Sequence, residues 1–135
     1  MKSLILIILF SFSINASTLQ IEQKIYSLVL DGLFSKTTIK IWCDDKNKNL
    51  IFKNIKKVEI VNNKSDAEIL MLFNTYELKT KKMVFVGKYR LLKEYKDNAI
   101  GGFYWQKGRP NLIILDKNLN YYKLKVSNKL LEYVE

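Results

Sequence analysis

The stretch Ala67-Glu68-Ile69-Leu70-Met71-Leu72-Phe73 decides the fold class. From Ile69 onward every residue is apolar, and polar turn residues bound the run on both sides, Asn62 to Asp66 before it and Asn74 after it. A strand with one wet face alternates apolar and polar residues, whereas an unbroken apolar run of strand length is covered on both faces. Sheets covered on both faces are those of α/β proteins, in which helices lie on either side of mainly parallel strands.

Reading outward from this strand, the neighbouring segments fit that architecture. Upstream, Val58 to Val61 is a strand, Leu50 to Ile55 a short helix, and Ile39 to Trp42 a strand closed by the turn cluster Asp44-Asp45-Lys46-Asn47. Ile21, Ile25, Leu28, Val29 and Leu33 recur at helical spacing with polar residues between them, which predicts an amphipathic helix over residues 19–31 with Gly32 placed to end it. Downstream, a charged linker spans residues 74–82, Met83 to Val86 is a strand, and Gly87 breaks it. Tyr89, Leu91, Leu92 and Tyr95 then mark a short helix to about Lys96. Ile100 to Gln106 and Leu112 to Leu115 are two further strands, and residues 127–134 form a terminal helix that Ser127 is placed to cap. The expectation is a small single-domain α/β sandwich over residues 17–135, with a mainly parallel or mixed sheet of about five to six strands flanked by helices.

Residues 1–16 read as an export signal. Lys2 gives the start its positive charge, Leu4 to Ile14 is apolar apart from Ser11 and Ser13, and Ala16 supplies a small residue for cleavage. The apolar run stops well short of the roughly 20 residues a membrane-crossing helix needs, so no permanent anchor is expected. No cysteine stands near the cleavage point to carry a lipid. The mature protein is therefore expected in the periplasm. There Cys43, the sole cysteine, excludes an intramolecular disulfide scaffold and reads as a small buried hydrophobe within its apolar strand.

Of the 23 basic residues all but Arg90 and Arg109 are lysine, and the formal charge is +10, one unit of which leaves with Lys2. That surplus suits an acidic partner or an anionic surface. No block of five like charges occurs, the lysines read as a solvated surface, and export removes most nucleic-acid roles.

Against this background one segment stands out. Residues 99–111, Ala-Ile-Gly-Gly-Phe-Tyr-Trp-Gln-Lys-Gly-Arg-Pro-Asn, hold three of the five glycines, the single proline, one of two tryptophans and one of the two arginines. Glycine permits close backbone approach, aromatic rings offer flat apolar contact, and arginine supplies a bidentate fork for carboxylate or phosphate. Two readings stand side by side. In one, Phe103 and Trp105 are core and Lys107-Gly108-Arg109-Pro110 is a hairpin turn. In the other, Tyr104, Gln106, Lys107, Gly108 and Arg109, with Arg90 after Gly87, form a partner- or anion-binding surface.

The sequence has no histidine, which removes imidazole bases, Ser-His and Cys-His nucleophiles and nearly all zinc sites. Asp44 and Asp45 follow a strand as a turn does, and no partner carboxylates come at calcium-loop spacing. No catalytic residue, metal site or cofactor is expected, and an enzyme working through Asp44 and Asp45 ranks last.

Four phrases together resemble the YfiR-like family: Ile39-Lys40-Ile41-Trp42-Cys43-Asp44-Asp45, Ala67-Glu68-Ile69-Leu70-Met71-Leu72, Gly101-Gly102-Phe103-Tyr104-Trp105 and Lys125-Val126-Ser127-Asn128-Lys129-Leu130-Leu131. Members of that family are small periplasmic proteins that hold an inner-membrane diguanylate cyclase in check. The resemblance implies a regulatory module with a membrane partner. It departs from the family in having one cysteine where members often carry disulfide-forming pairs. The phrase Trp-Gln-Lys-Gly-Arg-Pro, residues 105–110, lies outside the family's pattern and looks like the mark of a narrower group of exported proteins.

The first functional expectation is thus a non-enzymatic periplasmic binding or regulatory module. It would dock on an envelope or inner-membrane protein, such as a diguanylate cyclase or sensor kinase, with no nucleic-acid role. The second is a small binder of an anionic molecule, similar to one lobe of a solute-binding protein, with Arg109 or Arg90 meeting the ligand.

Overall fold

The structure, a computed structural model, describes the backbone of residues 2–135 and the side chains of residues 18–135. The expected export signal, residues 1–16, lies outside the described side chains. A helix α1 runs over Lys2–Leu33, followed by β1 (Ile39–Cys43), a 3-10 turn, α2 (Asn49–Phe52), β2 (Val58–Ile60), β3 (Ile69–Leu72), β4 (Met83–Val86), α3 (Tyr89–Glu94), β5 (Ala99–Gln106), β6 (Arg109–Ile114), α4 (Asp116–Tyr121) and a 3-10 helix over Asn128–Tyr133. Among the described residues no helix is long and apolar enough to cross a membrane.

The strands form one six-stranded sheet in the order β2-β1-β3-β4-β5-β6. All neighbours are parallel except β5 and β6, which pair antiparallel as a hairpin. The fold is α/β with a mixed, mainly parallel sheet. The central run explains itself in this setting: in β3, Ile69 and Met71 face the α1 side while Leu70 and Leu72 face the α3 side, and all four are buried. β4 splits likewise, Phe85 to one side and Val84 and Val86 to the other.

The α1 face carries the larger core. Tyr26 is its centre, with ring centroids of Phe52, Phe85 and Phe103 at 4.9, 5.4 and 5.9 Å in edge-on packing. Such rings contribute both buried area and favourable quadrupole contact. The α3 face is smaller, built from Leu70, Leu72, Val84, Val86, Leu91, Tyr95 and Ala99.

Three local expectations need correction, and one segment left unassigned proves helical. Gly32 lies inside the last turn of α1, which continues to Leu33, and a Cβ there would collide with the side chain of Leu130. Its smallness serves a close approach of elements. Ser127 precedes a 3-10 helix but makes no capping hydrogen bond, and its hydroxyl is buried without a partner among the described residues. β6 begins at Arg109, three residues earlier than its apolar part, because hairpin pairing with β5 extends the strand through polar positions. Finally, α4 fills the unassigned segment after β6, with Leu119 as its one buried apolar anchor.

Candidate functional site

The order β2-β1-β3 makes the junction of β1 and β3 the point where successive connections run in opposite directions, and open α/β sheets place ligand crevices there, beyond the carboxyl ends of the strands. In this chain Asp44 closes that position. Its Oδ1 accepts from the Phe73 amide at 2.8 Å, and its Oδ2 accepts from the Asn74 amide at 2.8 Å, the Thr75 amide at 2.7 Å and Thr75 Oγ1 at 2.8 Å. Asp45 accepts from the Asn47 amide at 3.0 Å and from Asn74 Nδ2 at 3.1 Å. Both carboxylates are therefore engaged in fixing the loop that leaves β3. No group of three metal-ligating side chains occurs among the described residues.

The clasp continues sideways. Lys88 Nζ donates to Asn74 Oδ1 at 2.9 Å, which ties the segment after β4 to the loop that leaves β3. Tyr95 Oη donates to the Thr75 carbonyl at 2.6 Å and accepts from the Leu78 amide at 3.2 Å, and burial raises its pKa. These bonds fix the wall of a cleft of about 490 Å³ at the carboxyl ends of β4 and β5, lined by Tyr76, Gly87, Lys88, Tyr89, Arg90, Tyr104, Trp105 and Gln106. Tyr89 and Tyr104 meet edge-on at 5.4 Å. None of the lining residues is acidic. A wider hollow of about 650 Å³ near Lys79, Lys81, Glu94 and Asp97 mixes charges of both signs and favours neither.

Of the residues singled out from sequence, Arg90, Tyr104 and Gln106 come together in this cleft. Lys107, Gly108 and Arg109 do not line it; they stand exposed at the tip of the β5–β6 hairpin. With Gln106 paired to Arg109, the turn has two residues, Lys107 at φ 51° and Gly108 at φ 74°, the positive pair of a type I′ turn. The backbone is thus that of a two-residue hairpin turn, with the side chains of Lys107 and Arg109 exposed on it. Phe103 is buried as expected, while Trp105 is 37% exposed, its ring edge-on to Phe103 at 5.8 Å.

Two lining tyrosines were not legible as site residues. Tyr89 has the spacing of a core position yet is 58% exposed, and Tyr76 lies in a linker and is 46% exposed. The signal for Tyr89 was its sequence neighbours: Lys88 and Arg90 flank it, which an inward-facing ring would not require.

No family model, curated protein or solved structure matches this chain.

Proposed function

We propose that this protein is a non-enzymatic binding and regulatory module of the periplasm, acting on a membrane sensor or other envelope protein. The observation that carries the reading is the cleft lined by Tyr76, Tyr89, Tyr104 and Arg90. Tyrosine and arginine are enriched among the residues that dominate interface energetics, tyrosine because it buries much area at little rotamer cost and arginine because its planar fork makes several hydrogen bonds at once. Here Tyr76, Tyr89 and Arg90 are exposed and Tyr104 is half-buried, beside the hydrogen-bonded loop, with Lys107 and Arg109 adjoining at the hairpin tip. The YfiR-like resemblance supports the same reading and points to an inner-membrane diguanylate cyclase or sensor kinase as the partner.

The test places a photo-crosslinking residue at position 107 in living cells. Recovery of an envelope protein is expected, and Arg90→Glu with Tyr104→Ala should abolish it. Recovery of none, with unchanged behaviour of strains carrying Arg90→Ala or Arg109→Ala, overturns the proposal.

A second reading rests on Lys88 and Arg90 sharing a cleft free of acidic lining residues, which suits an anionic small molecule. A melting temperature that rises with carboxylates or phosphates, and loses that response in Arg90→Ala, favours it. A melting temperature that no such anion moves rules it out.

A further inference from the structure

The two faces of β6 are treated differently. On the α1 side Leu112 and Ile114 join the large core, with Leu130 of the terminal 3-10 helix buried beside them. On the α3 side Ile113 is left half-buried. α3 ends its reach over β4 and β5, and α4 is anchored at the strand end, where Asn118 Nδ2 donates to the Lys96 and Ala99 carbonyls at 2.8 and 2.7 Å. Between α3 and the sheet edge lies a groove of about 370 Å³ whose lining includes the apolar side chains of Leu92 from α3 and of Ile113 and Leu115.

The rim has a sign. Lys93, Lys96 and Lys117 stand exposed around the groove, and none makes an ion pair among the described residues. Glu135 is the one acidic lining residue. Glu94, next to Lys93, is turned away and accepts from the Glu77 amide at 3.1 Å. Tyr89 lines both this groove and the tyrosine–arginine cleft, so the two form one continuous surface.

We infer that this groove receives an acidic, amphipathic helix of the partner protein. One apolar stripe of that helix lies on Leu92, Ile113 and Leu115, and its flanking carboxylates meet Lys93, Lys96 and Lys117. Helices dock in grooves through apolar residues three or four apart, and complementary charge at the rim fixes their register. A lipid surface fits less well. Its binding requires apolar groups that protrude, and here they are half-buried between a helix and a strand. The inference rests on the reading of the protein as a docking module and names the kind of segment it docks.

The experiment titrates the isotope-labelled protein with a designed peptide of about 14 residues, glutamate-rich with leucine at positions spaced three and four apart. A peptide of the same composition with the leucines scattered round the helix serves as control, and phosphatidylglycerol vesicles form a third arm. Saturable shifts confined to the amides of residues 89–96 and 112–118 are expected with the patterned peptide. Binding should be about tenfold weaker for the scattered one, and weaker by a similar factor for the folded triple variant Lys93→Glu, Lys96→Glu, Lys117→Glu. Equal binding of both peptides, shifts elsewhere, no shift, or binding to vesicles in place of the peptide overturns the inference. If the crosslink at position 107 still captures an envelope protein in any of those cases, the docking function stands and only its occupant is wrong.

Discussion

The Cys43 thiol sits at the end of β1, 9% exposed, and donates to the Asp45 carbonyl at 3.2 Å. Burial pushes its pKa up to about 12, and the charges of Asp44 and Asp45 act in the same direction. Because the thiolate is the reactive form, only about one thiol in ten thousand is ionised at pH 8. Disulfide reagents should therefore leave the native protein unmodified and titrate one thiol per chain in guanidinium. Native modification at the rate of a free thiol would refute the assignment of Cys43 as inert. Glu22, on α1, is buried as well, and burial raises its pKa above the ordinary 4.5 while the Lys48 ammonium pulls it partly back. A carboxyl with a raised folded-state pKa is unpenalised below its unfolded value and costs stability as pH rises through its folded value. Glu22→Gln should accordingly raise the melting temperature at pH 7, by about 1–3 °C, and the gain should vanish below about pH 4. A gain that persists in acid would point to packing instead.

At the level of elements, the β5–β6 hairpin separates structure from recognition. Lys107 occupies a left-handed conformation that asparagine adopts at lower cost, so Lys107→Asn should stabilise the fold by about 0.5–1 kcal/mol. Gly108→Ala should destabilise it by about 1 kcal/mol. Urea denaturation measures both, and a destabilising Lys107→Asn would contradict the I′ turn. Other elements show what local sequence can and cannot reveal. The apolar run Ile69–Phe73 was readable because burial on both faces removes polar residues altogether. α4 was not, since Asp116 to Tyr121 carries one buried apolar residue and its place depends on Asn118 reaching the α3–β5 turn. The Asp44 clasp looked like a turn because its donors lie about thirty residues away, beyond any local pattern. Tyr89 misled for a related reason: helical spacing identifies a stripe but does not say whether core or cleft lies beneath it.

For the molecule as a whole, the C-terminal segment closes what the sheet leaves open. The Ser127 amide donates to the Gly32 carbonyl at 3.0 Å, Leu130 is fully buried against the end of α1, and the Glu135 amide reaches the Ile114 carbonyl at 2.8 Å. The last residues thus tie the first helix to the last strand, with no disulfide to help. In a domain of this size the buried side chains of such a strap belong to the same cooperative unit as the sheet. Leu130→Ala should then cost about 2–5 kcal/mol, because it removes apolar burial and leaves space beside Gly32 that cannot fully collapse. Urea melts followed by both helix and aromatic signals should shift together with an unchanged slope. A loss below about 1 kcal/mol, or an aromatic transition left in place while part of the helix signal melts early, would mean that the strap frays independently and that the α1 core stands without it.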